Sequence, residues 1–403
     1  MRRYFVLLAL LAAVSLSMLV FSSHTSVSAS GGKVVVPHSN QFQPQDAGVR
    51  AHTNFYFYTG FNPDASQPPP LANTPGSVAC IYKLVAQTAG CPISGSTNVP
   101  TGGVGAIAIV DAFDNPDAVQ DLQVFSSQFG LPTADFTVVF ANGSRPANDP
   151  GGWSFEEALD IEMAHAMAPN AKLYLVEAAD NSFTNLLKAE DMAAQLVVQA
   201  GGGTISNSWS SGEFQGEQSF DSHFKTSGVV YFASTGDGGD FPGYPAISPF
   251  VVGVGGTTVN RTNGKFTSET YWTGGGGGIS TVYTRPAYQN VISGIVGNHR
   301  GSPDISAVGN PNTGVAVYDA DGGFGWQQIG GTSVSSPLLA GIVNGGGLKR
   351  KSTNAELTAV YNQYNNPTQY KNLYRDIKAG GSNCKVGWDI CTGVGAPLTF
   401  KGK

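Results

Sequence analysis

The feature that most constrains this chain is an alternation of short apolar runs with stretches of helical spacing between residues 104 and 256. VGAIAIV (104–110) is continuously apolar, as a strand buried on both faces must be. PDAVQDLQVFSSQFG (116–130) follows with helical periodicity and a proline at its start. FTVVF (136–140), a helix over 153–167, AKLYLV (171–176) and a helix near 182–199 repeat the pattern. GTISNS (203–208), a helix near 214–226, VVYFAS (229–234) and FVVGVGG (250–256) extend it. Such alternation predicts an α/β fold, a parallel sheet with helices on both faces in a single domain. In such sheets ligands sit at the carboxyl ends of the strands, so functional residues should follow the apolar runs.

Composition narrows the function. The 403 residues are 41% hydrophobic and 12% charged, which excludes a disordered chain. The 53 glycines follow no three-residue period, so collagen is excluded. The net charge of −6 and the lack of a basic block argue against nucleic acid as a partner. With only 22 Lys and Arg and 6 His, self-repulsion in acid would be mild, which permits an acidic working environment.

The N-terminus has a basic start (Arg2, Arg3), an apolar run (Tyr4 to Phe21) and a small-residue tail ending Val27-Ser28-Ala29. This is the layout of a signal peptide over residues 1–29, implying a secreted protein with no stable membrane insertion after its removal. An uncleaved anchor is the alternative, at the lower limit of spanning length. No later segment is long and apolar enough to cross a membrane. Residues 30–75, rich in Pro, Gln, Asn and Ser, read as an extended lead-in without its own core. The four cysteines of an exported chain suggest two disulfides, with proximity favouring Cys80–Cys91 and Cys384–Cys391.

GGTSVSSPLLAGIV (330–343) places Ser333 after two glycines and before a helical apolar stretch, where a serine can cap a helix. Pro337 would leave the Ser333 carbonyl without its helical donor. The string G-T-S-x-x-x-P resembles the nucleophile segment of subtilisin-like peptidases. Those enzymes pair serine with a histidine in a His-Gly-Thr or His-Gly-Ser segment, and none of the histidines at 24, 38, 52, 165, 223 and 299 is so placed. The base must be another group. WSFEEALDIEMAHAMAP (153–169) offers Glu156 and Asp160, four apart on a predicted helix and so on one face. Neighbouring carboxylates raise each other's cost of ionisation and can share a proton in acid. Taken alone the pair reads as a solvated acidic face, since Glu157 and Glu162 are nearby; Leu159, Met163 and Ala166 would mark the buried side.

E-x-x-L-D-I-E followed by A-x-A-P, with the serine string, resembles the sedolisin (serine-carboxyl peptidase) family over roughly residues 75 to 400. The resemblance implies a subtilisin-like fold over residues 76–403 and an endopeptidase that cuts polypeptides at acid pH. It assigns Ser333 as nucleophile, Glu156 as general base and Asp160 as its orienting carboxylate. Asp237, in YFASTGDGGDFPGYPA (231–246), then stands where subtilisins place an oxyanion-binding asparagine, and can donate only when protonated. Asp111, ending AIVD, falls where the family often has a further acidic relay residue. Ser208, Trp209, Gly275 and Gly276 are candidates to flank an extended substrate. The resemblance also implies one Ca²⁺ in the loop 374–392, held by Asp376 and Asp389 with the carbonyls of Ile377, Lys385 and Gly387; a metal-free loop stapled by Cys384–Cys391 is the alternative. A monomer is expected. Family members usually carry a large pro-domain, whereas between Ala29 and the core there is room here only for a short lead-in. A secreted binding protein that kept the fold without activity, or a glycoside hydrolase using Glu156 and Asp160, would lack any need for Ser333.

Overall fold

The computed structural model describes residues 32–401 apart from 60–65, 95–97 and 348–349. The expected signal peptide (1–29) lies outside the described residues. In the lead-in, β1 (Val34–Val35), β2 (His52–Thr53) and β3 (Tyr56–Tyr58) precede helix α1 (Pro75–Ile81). The strands of the main body follow as β4 (Ala106–Ala112), β5 (Asp135–Phe140), β6 (Lys172–Ala178), β7 (Gly203–Asn207), β8 (Trp209–Gly212) and β9 (Val229–Ser234). Next come β10 (Gly243–Tyr244), β11 (Val252–Thr262), β12 (Lys265–Tyr271), β13 (Gly278–Thr284), β14 (His299–Ser302), β15 (Ile305–Val308), β16 (Val315–Asp319) and β17 (Gly325–Gly330). The helices that follow are α2 (Ala118–Phe129), α3 (Trp153–Met167), α4 (Phe183–Gln199), the short α5 (Ser293–Val296), α6 (Thr332–Gly345) and α7 (Thr353–Tyr364).

The main sheet has eight strands in the order β12-β11-β9-β7-β4-β6-β5, with β15 also on β11. Every neighbour is parallel except the β11–β12 hairpin. The order reverses about β4, which runs between β6 and β7 and so marks the switch point where such sheets form their clefts. The expected alternation is present almost element for element. The predicted helix near 214–226 is a 3₁₀ segment, Glu217–Phe224, instead of an α-helix. Its Gly216 has φ +94° and only three of its residues are buried, so no continuous apolar stripe holds a full helix there.

Side-chain alternation along β4 divides the core. Ile107 and Ile109 pack with Leu122 and Ile161 on the side of α2 and α3. Ala106, Ala108 and Val110 pack with Leu186 and Val197 on the side of α4. Asp111 continues the odd-numbered row, so it points toward α3. The register therefore delivers a carboxyl to the helix that carries Glu156 and Asp160.

The lead-in shares the core of the domain. β3 pairs with β17 and β1, and Phe55 and Phe57 pack against Phe155 with ring centroids 5.7 and 4.8 Å away. Both disulfides, Cys80–Cys91 and Cys384–Cys391, are formed. One structural device was not apparent in the sequence. Arg300 and Asp304, both fully buried, make two parallel bonds of 2.9 and 2.6 Å. Asp304 also accepts from the Gly253 N–H (2.9 Å) and the Tyr361 hydroxyl (2.8 Å), tying β11, β14 and β15 to a C-terminal helix. Removing one partner of such a pair strands the other charge. Arg300→Met should lower unfolding free energy by about 3–5 kcal/mol in urea titrations; a loss under about 1 kcal/mol would show the pair to be dispensable.

Candidate active site

The N-terminus of α6 sets the geometry. Gly331 is the N-cap, at φ +132°, and Ser333 is the second residue inside the helix. This corrects the expectation that the serine itself caps the helix. The position has a chemical consequence: the first N–H groups of a helix have no internal acceptor, so the Ser333 N–H is free to bind an oxygen outside it. It donates to the carbonyl of Asn54 at 3.1 Å. Pro337 leaves the Ser333 carbonyl without a donor, and the Ser208 hydroxyl takes that place at 3.3 Å. The Ser333 hydroxyl donates to the Ser208 carbonyl (3.1 Å) and accepts from the Asn54 N–H (3.2 Å). No histidine bonds it among the described residues.

All fifteen residues of α3 are buried. The reading of Glu156, Asp160, Glu157 and Glu162 as a solvated acidic face is therefore overturned. α3 lies between the sheet and α2, α6 and β16, and has no solvent side. Burial above all, then the nearby Asp160 and Asp111, pushes the Glu156 carboxyl well above its usual range, with the Ser333 hydroxyl acting in the opposite direction. Asp160 is raised by burial and partly relieved by the Ser208 hydroxyl and Glu156. Asp111 is raised by burial, then by Asp160 and Glu177. These mutual influences trace a line of carboxyls from Asp111 through Asp160 and Glu156 to Ser333. The oxygens of all three acids lack hydrogen-bond partners among the described residues.

The acidic cluster is larger than the motifs indicated. Glu157, on the next position of α3, couples to Glu177 at the end of β6, to Asp111 and to Asp114. Arg145, 3.4 Å from Asp114, is the cation at its edge. Glu177 joins the cluster because β6 pairs in register with β4, placing it opposite Asp111.

Asp237 follows β9, where the carboxyl-end rule puts functional groups. Its Oδ1 accepts from the Thr332 N–H (2.8 Å) and hydroxyl (2.9 Å), while Oδ2 is buried without a partner. Burial, opposed by the Thr332 bonds, raises its pKa to about 8. Oδ2 is the oxygen left to carry a proton when the carboxyl is neutral.

The candidate substrate-flanking residues divide. Ser208 touches Ser333 through both its carbonyl and hydroxyl. Trp209 is buried, its Nε1 donating to the Val110 carbonyl (2.9 Å), and its strand β8 pairs with β2. The Gly276 N–H is spent on the Gly236 carbonyl (2.7 Å), and a Cβ at Gly276 would lie 2.3 Å from the Thr235 carbonyl. Gly275 donates to Trp272 O and accepts from the Tyr271 hydroxyl, both at 2.9 Å. This glycine pair buttresses the loop that carries Asp237.

In the C-terminal loop, Asp376 Oδ1 accepts from the Tyr370 hydroxyl and the Gly387 N–H, both at 3.0 Å. Asp389 accepts from the N–H groups of Lys385 (2.6 Å), Cys391 (3.1 Å) and Thr392 (3.0 Å). Burial first, then Asp376, with smaller contributions from Tyr364 and Asp389, raises the Tyr370 hydroxyl. Two carboxylates with peptide carbonyls from Ile377, Lys385 and Gly387 are a donor set that suits a hard cation.

A buried serine at a helix start, facing a line of carboxyls and a protonatable aspartate, defines a serine-carboxyl arrangement on a subtilisin-like sheet. Residues 138–345 match the subtilase family. Kumamolisin of Bacillus sp. (strain MN-32) is 30% identical over 335 residues, 73% of this chain and 58% of that protein. Sedolisin of Pseudomonas sp. (strain 101) is 27% identical over 344 residues, 75% of this chain and 57% of that one. The chain thus spans somewhat more than half the length of these relatives. Among solved structures, Pseudomonas sedolisin, a serine-carboxyl proteinase complexed with two molecules of pseudo-iodotyrostatin, aligns with a TM-score of 0.67 at 25% identity, covering 81% of this chain and 95% of that one. The chain belongs to the subtilase family, in its sedolisin branch.

Raised acids have a consequence for stability. Asp237 and Asp319 titrate at about 8 and Asp121 at about 7, each raised chiefly by burial, against ~4 in an unfolded chain. Between those values the folded state holds protons that the unfolded state has lost, so stability falls as pH rises through that window. Urea midpoints should decrease from pH 4 to pH 8; a midpoint that climbs over that range would contradict the protonated interior.

Proposed function

We propose that this chain is a secreted serine-type endopeptidase that cuts polypeptides at acidic pH. The observation that carries this is the placement of a helix-start N–H with no acceptor inside its helix, a hydroxyl and a protonatable carboxyl around one serine, with the Glu156 carboxyl shifted by that serine's hydroxyl. Ser333 Oγ attacks the scissile carbonyl and Glu156 takes its proton. Asp160 orients Glu156, and Asp111 extends the relay on the side away from Ser333. One negative charge shared among the three acids is enough, since a second in the same dry volume is strongly disfavoured. The oxyanion is met by the Ser333 N–H and by the proton on Asp237 Oδ2. Glu156 returns the proton to the leaving amine, and water repeats the sequence on the acyl-enzyme. Secretion is supported by the N-terminal pattern of residues 1–29, and among the described residues no helix is long and apolar enough to cross a membrane.

Ser333→Ala should abolish cleavage of a quenched peptide at every pH, and retained turnover would reject the nucleophile. Asp237→Ala should cost about 10²–10³ in kcat. Asp237→Asn keeps a donor at all pH values, so its activity should persist above about pH 8, where the wild type loses it; coincident alkaline limbs would remove the protonated-donor role.

A calcium ion is proposed for the loop 374–392, held by the carboxylates of Asp376 and Asp389 and the carbonyls of Ile377, Lys385 and Gly387. Bound there, it would stabilise the folded state by mass action. Chelation should lower the melting temperature of the wild type and leave Asp376→Asn unmoved; equal, flat responses would remove the ion.

A further inference from the structure

The inner face of α4 is an apolar row with one exception. Leu186, Ala193 and Val197 are buried there, and the helical spacing that joins them places Glu190 in the same row, fully buried. Neither Glu190 oxygen has a hydrogen-bond partner among the described residues. Burial, the largest influence, raises the carboxyl well above its usual range, and the charged group acting on it is another acid, Asp191. A carboxylate in a dry interior without a cation is costly, whereas a neutral carboxyl has one O–H to donate.

The hydrogen-bonding side chain that meets Glu190 is Asn207, the last residue of β7 and also fully buried. Its Nδ2 donates to the Phe232 carbonyl on β9 at 3.2 Å, and its Oδ1 has no partner among the described residues. A carboxyl O–H donated to Oδ1 satisfies both side chains at once. The place matters because β7 lies between β4 and β9, in the middle of the sheet. Its side chains alternate between the two faces. Ile205 packs on the side of α4, while the hydroxyls of Thr204 and Ser206 bond the Ala340 carbonyl (3.2 Å) and Ser336 Oγ (2.8 Å) on α6. Asn207 follows Ile205 to the α4 side, and Ser208 returns to α6, where its carbonyl accepts from Ser333 Oγ (3.1 Å) and its hydroxyl bonds the Ser333 carbonyl (3.3 Å). β9, which Asn207 grips through Phe232, ends at Ser234, just before the loop that carries Asp237. One amide thus joins the ends of the two strands that deliver both halves of the site.

We propose that Glu190 is a positioning residue acting from the opposite face of the sheet: its carboxyl O–H donates to Asn207 Oδ1, which fixes the Asn207 amide between β7 and β9 and so holds Ser208 against Ser333. Without that donor the amide is free to turn, and its grip on the Phe232 carbonyl loosens. The proposal rests on the peptidase reading for its effect on turnover, and its test separates the two. The full chain is compared at acid pH as wild type, Glu190→Gln and Glu190→Leu. Gln keeps the shape and an N–H donor, while Leu suits the apolar row of α4 and has none. In Glu190→Leu, kcat on a quenched peptide should fall about tenfold with KM within about twofold of wild type, as for loss of one buried hydrogen bond, and Glu190→Gln should restore it. Hydrogen exchange at the amides of residues 206–210 should quicken about tenfold in Glu190→Leu and stay near the wild-type rate in Glu190→Gln. Wild-type kcat in Glu190→Leu, whatever its melting temperature, would reduce Glu190 to core packing and overturn the proposal. A Glu190→Gln chain as slow as Glu190→Leu would overturn it as well. If no form turns over peptide, wild type included, the peptidase reading falls and exchange alone decides: a contrast between Leu and Gln upholds the Glu190 clamp, and equal rates overturn it.

Discussion

A carboxyl group sealed in a protein interior without a cation cannot easily stay charged, and the active-site architecture of this protein depends on that fact. α3 carries Glu156, Glu157, Asp160 and Glu162 with every residue of the helix buried. Asp111 and Glu177 meet them from β4 and β6. A metal or guanidinium at the centre would fix these groups as anions. Their surroundings favour protonated forms, and protons can then move along them. The same burial raises Asp237 and turns an ordinary acceptor into a donor. Two carboxyl groups are thus set in different surroundings, Glu156 beside other acids and Asp237 beside the N–H and hydroxyl of Thr332, which suits the proposed division of base from oxyanion donor.

The fold supplies those positions through simple periodicities. The odd-numbered row of β4 brings Asp111 to α3, the i, i+4 spacing of α3 stacks Glu156 and Asp160, and the start of α6 leaves the Ser333 N–H unpaired. Ser208 then compensates for Pro337 by bonding the Ser333 carbonyl, which locks the end of β7 to the nucleophile helix. The Arg300–Asp304 pair, held also by the Gly253 N–H and the Tyr361 hydroxyl, ties β11, β14 and β15 to a C-terminal helix.

The parallel sheet, its helices and both disulfides were legible in the sequence because apolar runs and cysteine spacing are local signals. The residues around Ser333 were legible through motif resemblance. Other features required three dimensions. Glu157 and Glu162 look like a solvated face because sequence cannot show that α3 is covered on all sides. Glu177 needed the β4–β6 register. The serine's place inside the helix depended on Gly331 taking the cap, and the N–H made free there is what Asn54 engages. The lead-in looked structureless because its strands are two or three residues long and carry no periodicity. They exist only through the partners that β8 and β17 provide.

The central claim is that an alcohol is activated here by a carboxyl and its oxyanion held by a protonated one. A crystal structure of the full chain soaked with a peptide aldehyde at acid pH tests it directly. The account predicts a hemiacetal on Ser333 Oγ, its oxygen within hydrogen-bond distance of Asp237 Oδ2 and the Ser333 N–H, and a Glu156 oxygen within that distance of Oγ. An adduct with Glu156 remaining out of reach, or an oxyanion turned away from Asp237, would contradict it.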